Sequence, residues 1–224
     1  MRCSIHQPNY IPYLLFNKIY LSDVFVFYDN AQFTKGDYHN RNKVKANGEV
    51  LLSLPVKVSL GQKINEVSFD NKILRKHWTT IEQSYKKAQY FNTYGVEIRR
   101  KIYETEETNI AKFNIETIIF LSRLIGIKHT SFITLSEILP DLEHSSTKAL
   151  VDICKEISDF YISAGRYVEA DLFSDAKIEL VFQEYKHPVY SQLWGDFLPY
   201  MSILDLIFNE PNSLSFIRQN SIKI

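Results

Sequence analysis

RCSIHQPNYIPYLLFNKIYLSDVFVFYD, residues 2–29, decides the fold. Arg2 to His6 reads as a short buried strand. Tyr13 to Leu21 places apolar residues at helical spacing with almost no breakers. Asp23 to Asp29 is a run of β-branched and aromatic residues bounded by two Asp, the composition of an interior strand. Strand, short helix, strand is a βαβ unit, with parallel and adjacent strands expected. Ligands of such sheets bind outside the carboxyl ends of the strands. The unit therefore brings His6, Gln7, Asp29 and Gln32 to one rim. Pro8 and Pro12 stiffen the loop between strand and helix, which holds a His, a Gln, an Asn and two Tyr.

Outward from this unit the chain turns polar and basic. Between Lys35 and Lys63 lie six Lys and Arg against Asp37 and Glu49. Asn47-Gly48 signals a hairpin joining Arg41–Lys45 to Val50–Val56, expected to extend the sheet or pack on its edge. Ile64–Phe69 reads as one more strand. Residues 72–126 read as helical, an insertion or lobe: Ile73, Leu74, Trp78, Ile81 and Tyr85 form one stripe, and Val96, Ile98, Ile102 and Tyr103 a looser one. Phe113–Ile125 ends at Gly126, a good C′ residue. Strands follow at Ser131–Leu135, Asp159–Ser163 and Ile178–Tyr185. Helices follow at Leu150–Ile157, capped at Ser145 or Ser146, and at Ser202–Asn209. The fold class is α/β: one domain over residues 1–224, with a mostly parallel sheet of about five to six strands flanked by helices, a basic hairpin extension and a helical middle region.

Composition narrows the function classes. Apolar residues at 45% and aromatics at 14% supply a packed core. Lys+Arg 26 against Asp+Glu 26 disfavours a general polyanion binder, so no nucleic-acid partner is expected. Cys3 and Cys154 form no CxxC, and no Cys/His spacing suits zinc, so no metal site is expected. With no signal-peptide pattern ahead of the first strand and no apolar run near about 18 residues, the expectation is a cytoplasmic chain without membrane insertion, its thiols reduced.

Four polar clusters carry candidate chemistry. His6 and Gln7 with Asn9 and Tyr10 offer a side chain suited to general acid or base work, or a His that caps its strand. Asp29 with Gln32 would orient His6 or bind a substrate hydroxyl or amine, or form an Asx-turn. Arg41 and Lys43 share one face of a strand, with Asn40 and Asn42 on the other. The cationic face is either a phosphate fork or a solvated edge that deters aggregation. Ser163 with Tyr161, Tyr190 and Gln192 would bind an anion, or mark an ordinary strand-to-helix turn. GxGxxG, Walker, HExxH and GxSxG patterns are missing from the sequence.

The order His6-Gln7-Pro8-Asn9-Tyr10-Ile11-Pro12-Tyr13, Lys18-Ile19, Tyr28-Asp29, Gln32, Asn40-Arg41-Asn42, Leu54-Pro55-Val56, Tyr161-Ile162-Ser163 and Tyr190-Ser191-Gln192 resembles the WbqC-like family across nearly the whole chain. It departs from that pattern at Leu15, Ala164 and Pro211. The resemblance implies a product of bacterial surface-polysaccharide (O-antigen) gene sets. The implied activity is transfer of an acyl or aminoacyl group, glycyl among them, to the amine of a nucleotide-linked aminodeoxy sugar. On that reading His6, Asp29 and Gln7 are catalytic: base, tautomer-setting carboxylate and oxyanion donor, Asn42 being the other candidate donor. Arg41 and Lys43 would hold a pyrophosphate, and Tyr10, Tyr13 or Tyr28 would stack on base or sugar. Asn9, Gln32, Asn40, Asn42, Ser163 and Tyr190 complete the substrate-binding set. No tightly bound cofactor is implied. The donor would be a thioester on coenzyme A or on an acyl or aminoacyl carrier protein. Two alternatives stand beside it: an ATP- and Mg²⁺-dependent nucleotidyl transferase or ligase with a His at the end of its first strand, and a non-catalytic sugar-nucleotide-binding scaffold.

Overall fold

A computed structural model describes residues 1–142 and 146–219. Strand β1, Arg2–His6, runs into helix α1, Leu15–Leu21, and then into β2, Val24–Phe27. β1 and β2 pair in parallel, Ile5 opposite Val26 and His6 opposite Phe27. The chain then leaves the sheet for a hairpin of β3, Arg41–Ala46, and β4, Gly48–Ser53, with Gly48 at φ 103° in the turn. Helices α2 (Ile73–Tyr85), α3 (Phe91–Ile98) and α4 (Ile110–Leu124) follow, with a π-helical turn over Arg99–Tyr103. The return to the sheet brings β5 (Ser131–Thr134), α5 (Leu135–Ile138), α6 (Thr147–Ile157), β6 (Phe160–Ser163), α7 (Ala170–Asp175) and β7 (Glu179–Phe182). Helices α8 (Ile203–Asn209) and α9 (Ser213–Arg218) close the described chain.

The sheet has five strands in the order β5-β2-β1-β6-β7, every neighbouring pair parallel. This is the expected α/β class, helices flanking a parallel sheet. The chain moves outward from β1 through β2 to β5, then crosses to the other side of β1 for β6 and β7. The order reverses between β1 and β6, and there the carboxyl ends of two strands diverge to leave a crevice. Alternation along β1 divides its side chains between the two faces. Cys3 meets Cys154 of α6, while Ser4 accepts a 2.7 Å hydrogen bond from Ser22 at the end of α1.

Two expectations are corrected here. The hairpin does not extend the main sheet; it is a separate two-stranded sheet, and β3 packs on α2 and α8. Ile64–Phe69 is not a strand. It opens with a 3-10 turn at Ile64–Glu66, and its N–H groups bond singly to scattered loop carbonyls: Ile64 to Ala31, Asn65 to Asp29, Phe69 to Thr108. No run of one neighbour is offered to it, so no ladder forms.

Most of the two stripes is buried, Leu74, Trp78, Ile81, Tyr85, Ile98, Ile102 and Tyr103 lying inside, but Ile73 is half-buried and Val96, expected on the second stripe, faces outward. One cluster of buried apolar side chains runs from β1 and β2 through these helices. Asn109 caps α4 by accepting from the Lys112 N–H, which starts the helix earlier than its apolar run suggests. Its end is a Schellman motif: Gly126 at φ 98° donates to the Arg123 carbonyl and Ile127 to that of Ser122. Ser146 takes the N-cap position of α6; Ser145 lies outside the described residues.

Candidate functional site at the end of the first strand

His6 stands between two clefts. The larger, about 450 Å³, opens between β1 and β6 and is lined by Gln7, Tyr28, Thr147, Tyr161, Tyr167 and Glu169 among others. The smaller, about 220 Å³, lies on the side of α1 and is lined by Leu15, Lys18, Ala164, Gln183 and Tyr185. His6 lines both.

Hydrogen bonds fix the protons of this corner. His6 Nδ1 is 2.7 Å from the Gln7 carbonyl oxygen, which only accepts, so Nδ1 carries the hydrogen and Nε2 keeps the lone pair. Burial, and next the charge of Lys18, push the His6 pKa down to about 4, so the ring is neutral at pH 7. Gln7 is set by a second chain. The Thr34 N–H donates to His39 Nδ1 (3.3 Å), which leaves the His39 Nε2–H to donate to Gln7 Oε1 (2.9 Å). Burial holds His39 below its ordinary pKa, consistent with that neutral tautomer. The Gln7 amide nitrogen therefore remains as a donor. The end of β1 thus presents an acceptor, His6 Nε2, next to a donor, Gln7 Nε2.

Lys18 is the unexpected member. It sits on α1, only 2% exposed, and its ammonium donates to the Ile5 carbonyl at 2.8 Å. It lies 5.7 Å from the centre of the Tyr161 ring. Burial lowers its pKa to about 8, which still leaves it mostly protonated at pH 7.

The remaining predicted site residues divide. Gln7 and His6 are together. Asp29 is buried behind them and committed elsewhere: Oδ1 accepts from the Ser136 N–H, and Oδ2 from the Ser136 hydroxyl and Asn65 Nδ2. It shares no hydrogen bond with His6, whose Nδ1 is taken by a backbone carbonyl, so the expected tautomer-setting role is corrected. Gln32 is exposed and forms a backbone bridge with Lys63. Asn9 is half-buried outside both clefts. Tyr10 is fully buried, its hydroxyl 2.9 Å from His77 Nδ1, and packs on Phe113; it is a core residue, not a stacking platform. Tyr13 is also buried, stacked on His187 with ring centres 4.3 Å apart. Tyr190 stacks at 6.4 Å on the same Tyr13 and donates to Asp205 at 2.8 Å, which makes it part of that core.

The hairpin residues are structural in the same way. Asn42 donates to the carbonyls of both Tyr10 and Ile11 at 2.9 Å, so it clamps the opening loop instead of offering a hydrogen bond to an oxyanion. Asn40 donates to the Leu54 carbonyl. Lys43 is paired with Glu49 across the hairpin, and Arg41 lies over Gly36; neither lines a cleft beside His6. Ser163 turns its hydroxyl onto the Gly165 carbonyl at 2.8 Å and closes its own loop, so it is not set to receive an anion. Cys3 and Cys154 are free, buried thiols in hydrogen-bond contact, and Cys154 is pushed well above the usual thiol range by that hydrogen bond and by burial.

A sequence model of the WbqC-like protein family matches residues 7–215. The chain belongs to that family. It is also similar to a Mycobacterium tuberculosis protein described as uncharacterized, Rv1507c, at 32% identity over 97% of this chain and 99% of the relative. No solved structure matches it. Among the described residues no helix is long and apolar enough to cross a membrane.

Within the WbqC-like span, sequence reasoning assigned no site role to Thr147, Glu169, Gln183 or Tyr185, and none to Lys18 although Lys18-Ile19 belongs to the family pattern. Lys18 left a signal: it falls three residues after Leu15 and one before Ile19, on the apolar face of α1. A cation on such a face is either paired or functional. Thr147 opens α6, Glu169 takes the N-cap position of α7, and Gln183 and Tyr185 follow β7; only the strand order brings them to His6.

Proposed function

We propose that the protein transfers an acyl or aminoacyl group, glycyl among the candidates, to the amine of a nucleotide-linked aminodeoxy sugar. Membership of the WbqC-like family is consistent with a role in polysaccharide biosynthesis. The observation that carries the chemistry is the neutral His6 ring, Nδ1–H bonded to the Gln7 carbonyl and Nε2 left to accept, at the crevice where the strand order reverses. The substrate amine attacks the carbonyl carbon of a thioester donor; a C–N bond forms and the C–S bond breaks. His6 Nε2 takes the proton that the nitrogen sheds and returns it to the departing thiolate. Gln7 Nε2 donates to the oxyanion of the tetrahedral intermediate. An imidazole held near 4 is a weak base in the empty site. Lys18 contributes to that depression, so a substrate anion beside Lys18 raises the basicity of His6 when it binds.

The switch-point position of His6 also suits the ligase reading, in which the ring must first be protonated at Nε2 to donate to a phosphate of ATP. One assay separates the two. Nucleotide aminosugars are incubated with acyl-CoA, with aminoacyl carrier protein, or with amino acid plus ATP, and products are weighed by mass spectrometry. Mass gain without ATP supports the transferase. Gain only with ATP, with release of pyrophosphate, supports the ligase. No gain in any arm, with binding retained, leaves the scaffold reading.

A further inference from the structure

We propose that the smaller cleft, floored by Lys18, seats the phosphate or diphosphate of the substrate, with the Lys18 ammonium as its counter-charge. This deepens the transfer reading above and rests on it for the identity of the molecule, though not for the anion.

Four observations carry the assignment. Lys18 is buried, and no carboxylate among the described residues pairs with it; the titratable groups that act on it are the thiols of Cys3 and Cys154. One of its three N–H groups goes to the Ile5 carbonyl and two remain. The Tyr161 ring, 5.7 Å from the ammonium, compensates the charge only in part, and a buried cation short of a full counter-charge favours an anion that completes the pair. The cleft it floors holds about 220 Å³, below the range of roughly 300–1,000 Å³ for a whole drug-sized ligand and suited to a small charged part of one. Finally, the cations that the sequence offered for this task are elsewhere: Lys43 is neutralised by Glu49, and Arg41 lies with the hairpin.

The geometry divides the substrate. Its anionic part lies on the α1 side of His6, between Lys18 and the ends of β6 and β7, where Gln183 and Tyr185 form the wall. Its reacting part lies on the α6 side, in the larger cleft. His6 separates them and touches both. A diphosphate reaches this position from either of two sources, a nucleotide sugar or the pyrophosphate of coenzyme A.

Calorimetric titration of the full chain with pyrophosphate tests the site. Lys18→Met is expected to bind pyrophosphate roughly tenfold or more weakly than the unaltered protein, while Lys18→Arg stays within about threefold. Parallel titrations with UDP and with coenzyme A show which source uses the site, since only that one loses affinity in Lys18→Met. Equal pyrophosphate affinity in Lys18→Met and the unaltered protein, or no pyrophosphate binding at all, overturns the proposal. If Lys18→Met does not fold, acetic anhydride labelling of the unaltered protein replaces it. Pyrophosphate should then protect Lys18 from acetylation in the peptide mass map, and unchanged labelling overturns the proposal. An assay without acyl product sinks the transfer chemistry but leaves this site intact. Loss of the site leaves proton transfer at His6 open.

Discussion

At His6 the decisive atom is Nε2. Replacing the ring by Ala removes the acceptor and should lower product formation on the order of 100-fold or more in the mass-spectrometric assay. Stability should barely fall, because the bond lost is a single one to a neighbouring carbonyl. Asp29 behaves oppositely. Asp29→Asn sets an amide N–H₂ against groups that already donate, Ser136 and Asn65, and should cost about 1–3 kcal/mol in urea unfolding. Turnover per folded molecule at saturating substrate should stay within about twofold. A loss as large as that of His6→Ala would return Asp29 to the catalytic set. The sequence made these two residues look alike, since both end a strand at the same rim. Hydrogen-bond partners distinguish them, and those come from Ser136 and Asn65, which no local pattern connects to Asp29.

At the level of elements, the opening loop is a strained piece held by its neighbours. Ile11 is buried at φ 38°, a conformation that a β-branched residue avoids. Asn42 from β3 donates to the carbonyls of Tyr10 and Ile11, on either side of the Ile11 Cα, and Asn114 of α4 donates to those of Pro8 and His39. Asn42→Ala should therefore cost about 1–3 kcal/mol, by leaving the Tyr10 carbonyl unpaired and that of Ile11 with only the long 3.4 Å bond from the Ile203 N–H, while the strain remains. Chemical denaturation measures it. The loop after β6 is different. A Cβ at Gly165 would come within 2.5 Å of the Tyr167 ring, which is 77% exposed and free to swing. Gly165→Ala should shift stability by less than about 1 kcal/mol and instead change KM, because Tyr167 walls the larger cleft. The βαβ unit, the Asn47-Gly48 hairpin and the Gly126 helix end were all legible because each is a local rule. Ile64–Phe69 was not, because an apolar run becomes a strand only if a strand edge is free beside it.

For the whole molecule, buried neutral histidines set the response to acid. His6 and His77 are both pushed down to about 4, mainly by burial. Between that value and about 6.5 the unfolded chain binds protons that the folded chain refuses, so stability falls as pH drops through this window. The loss should reach on the order of a few kcal/mol by pH 4, measured as the urea midpoint against pH. Lys18 acts at the other end. Its folded pKa of about 8 lies below the unfolded value, so the folded chain sheds its proton first and stability should rise between about pH 8 and 10. Lys18→Met should abolish that rise. The site as a whole was half legible. His6 and Gln7 belong to the first strand and show in sequence; the walls of both clefts depend on which strand lies beside β1.

That neighbour is β6, where Cys3 pairs with Tyr161 across a long intervening chain. During synthesis β1 emerges first and can join β2 at once, but its other edge stays open until residue 163 has left the ribosome. Until then a bare strand edge is presented to every other nascent chain. His6, the proposed base, is thus made well before the strand that completes its site. Fragments ending before β6 should be prone to aggregation, and no amount of correct folding upstream would give them activity.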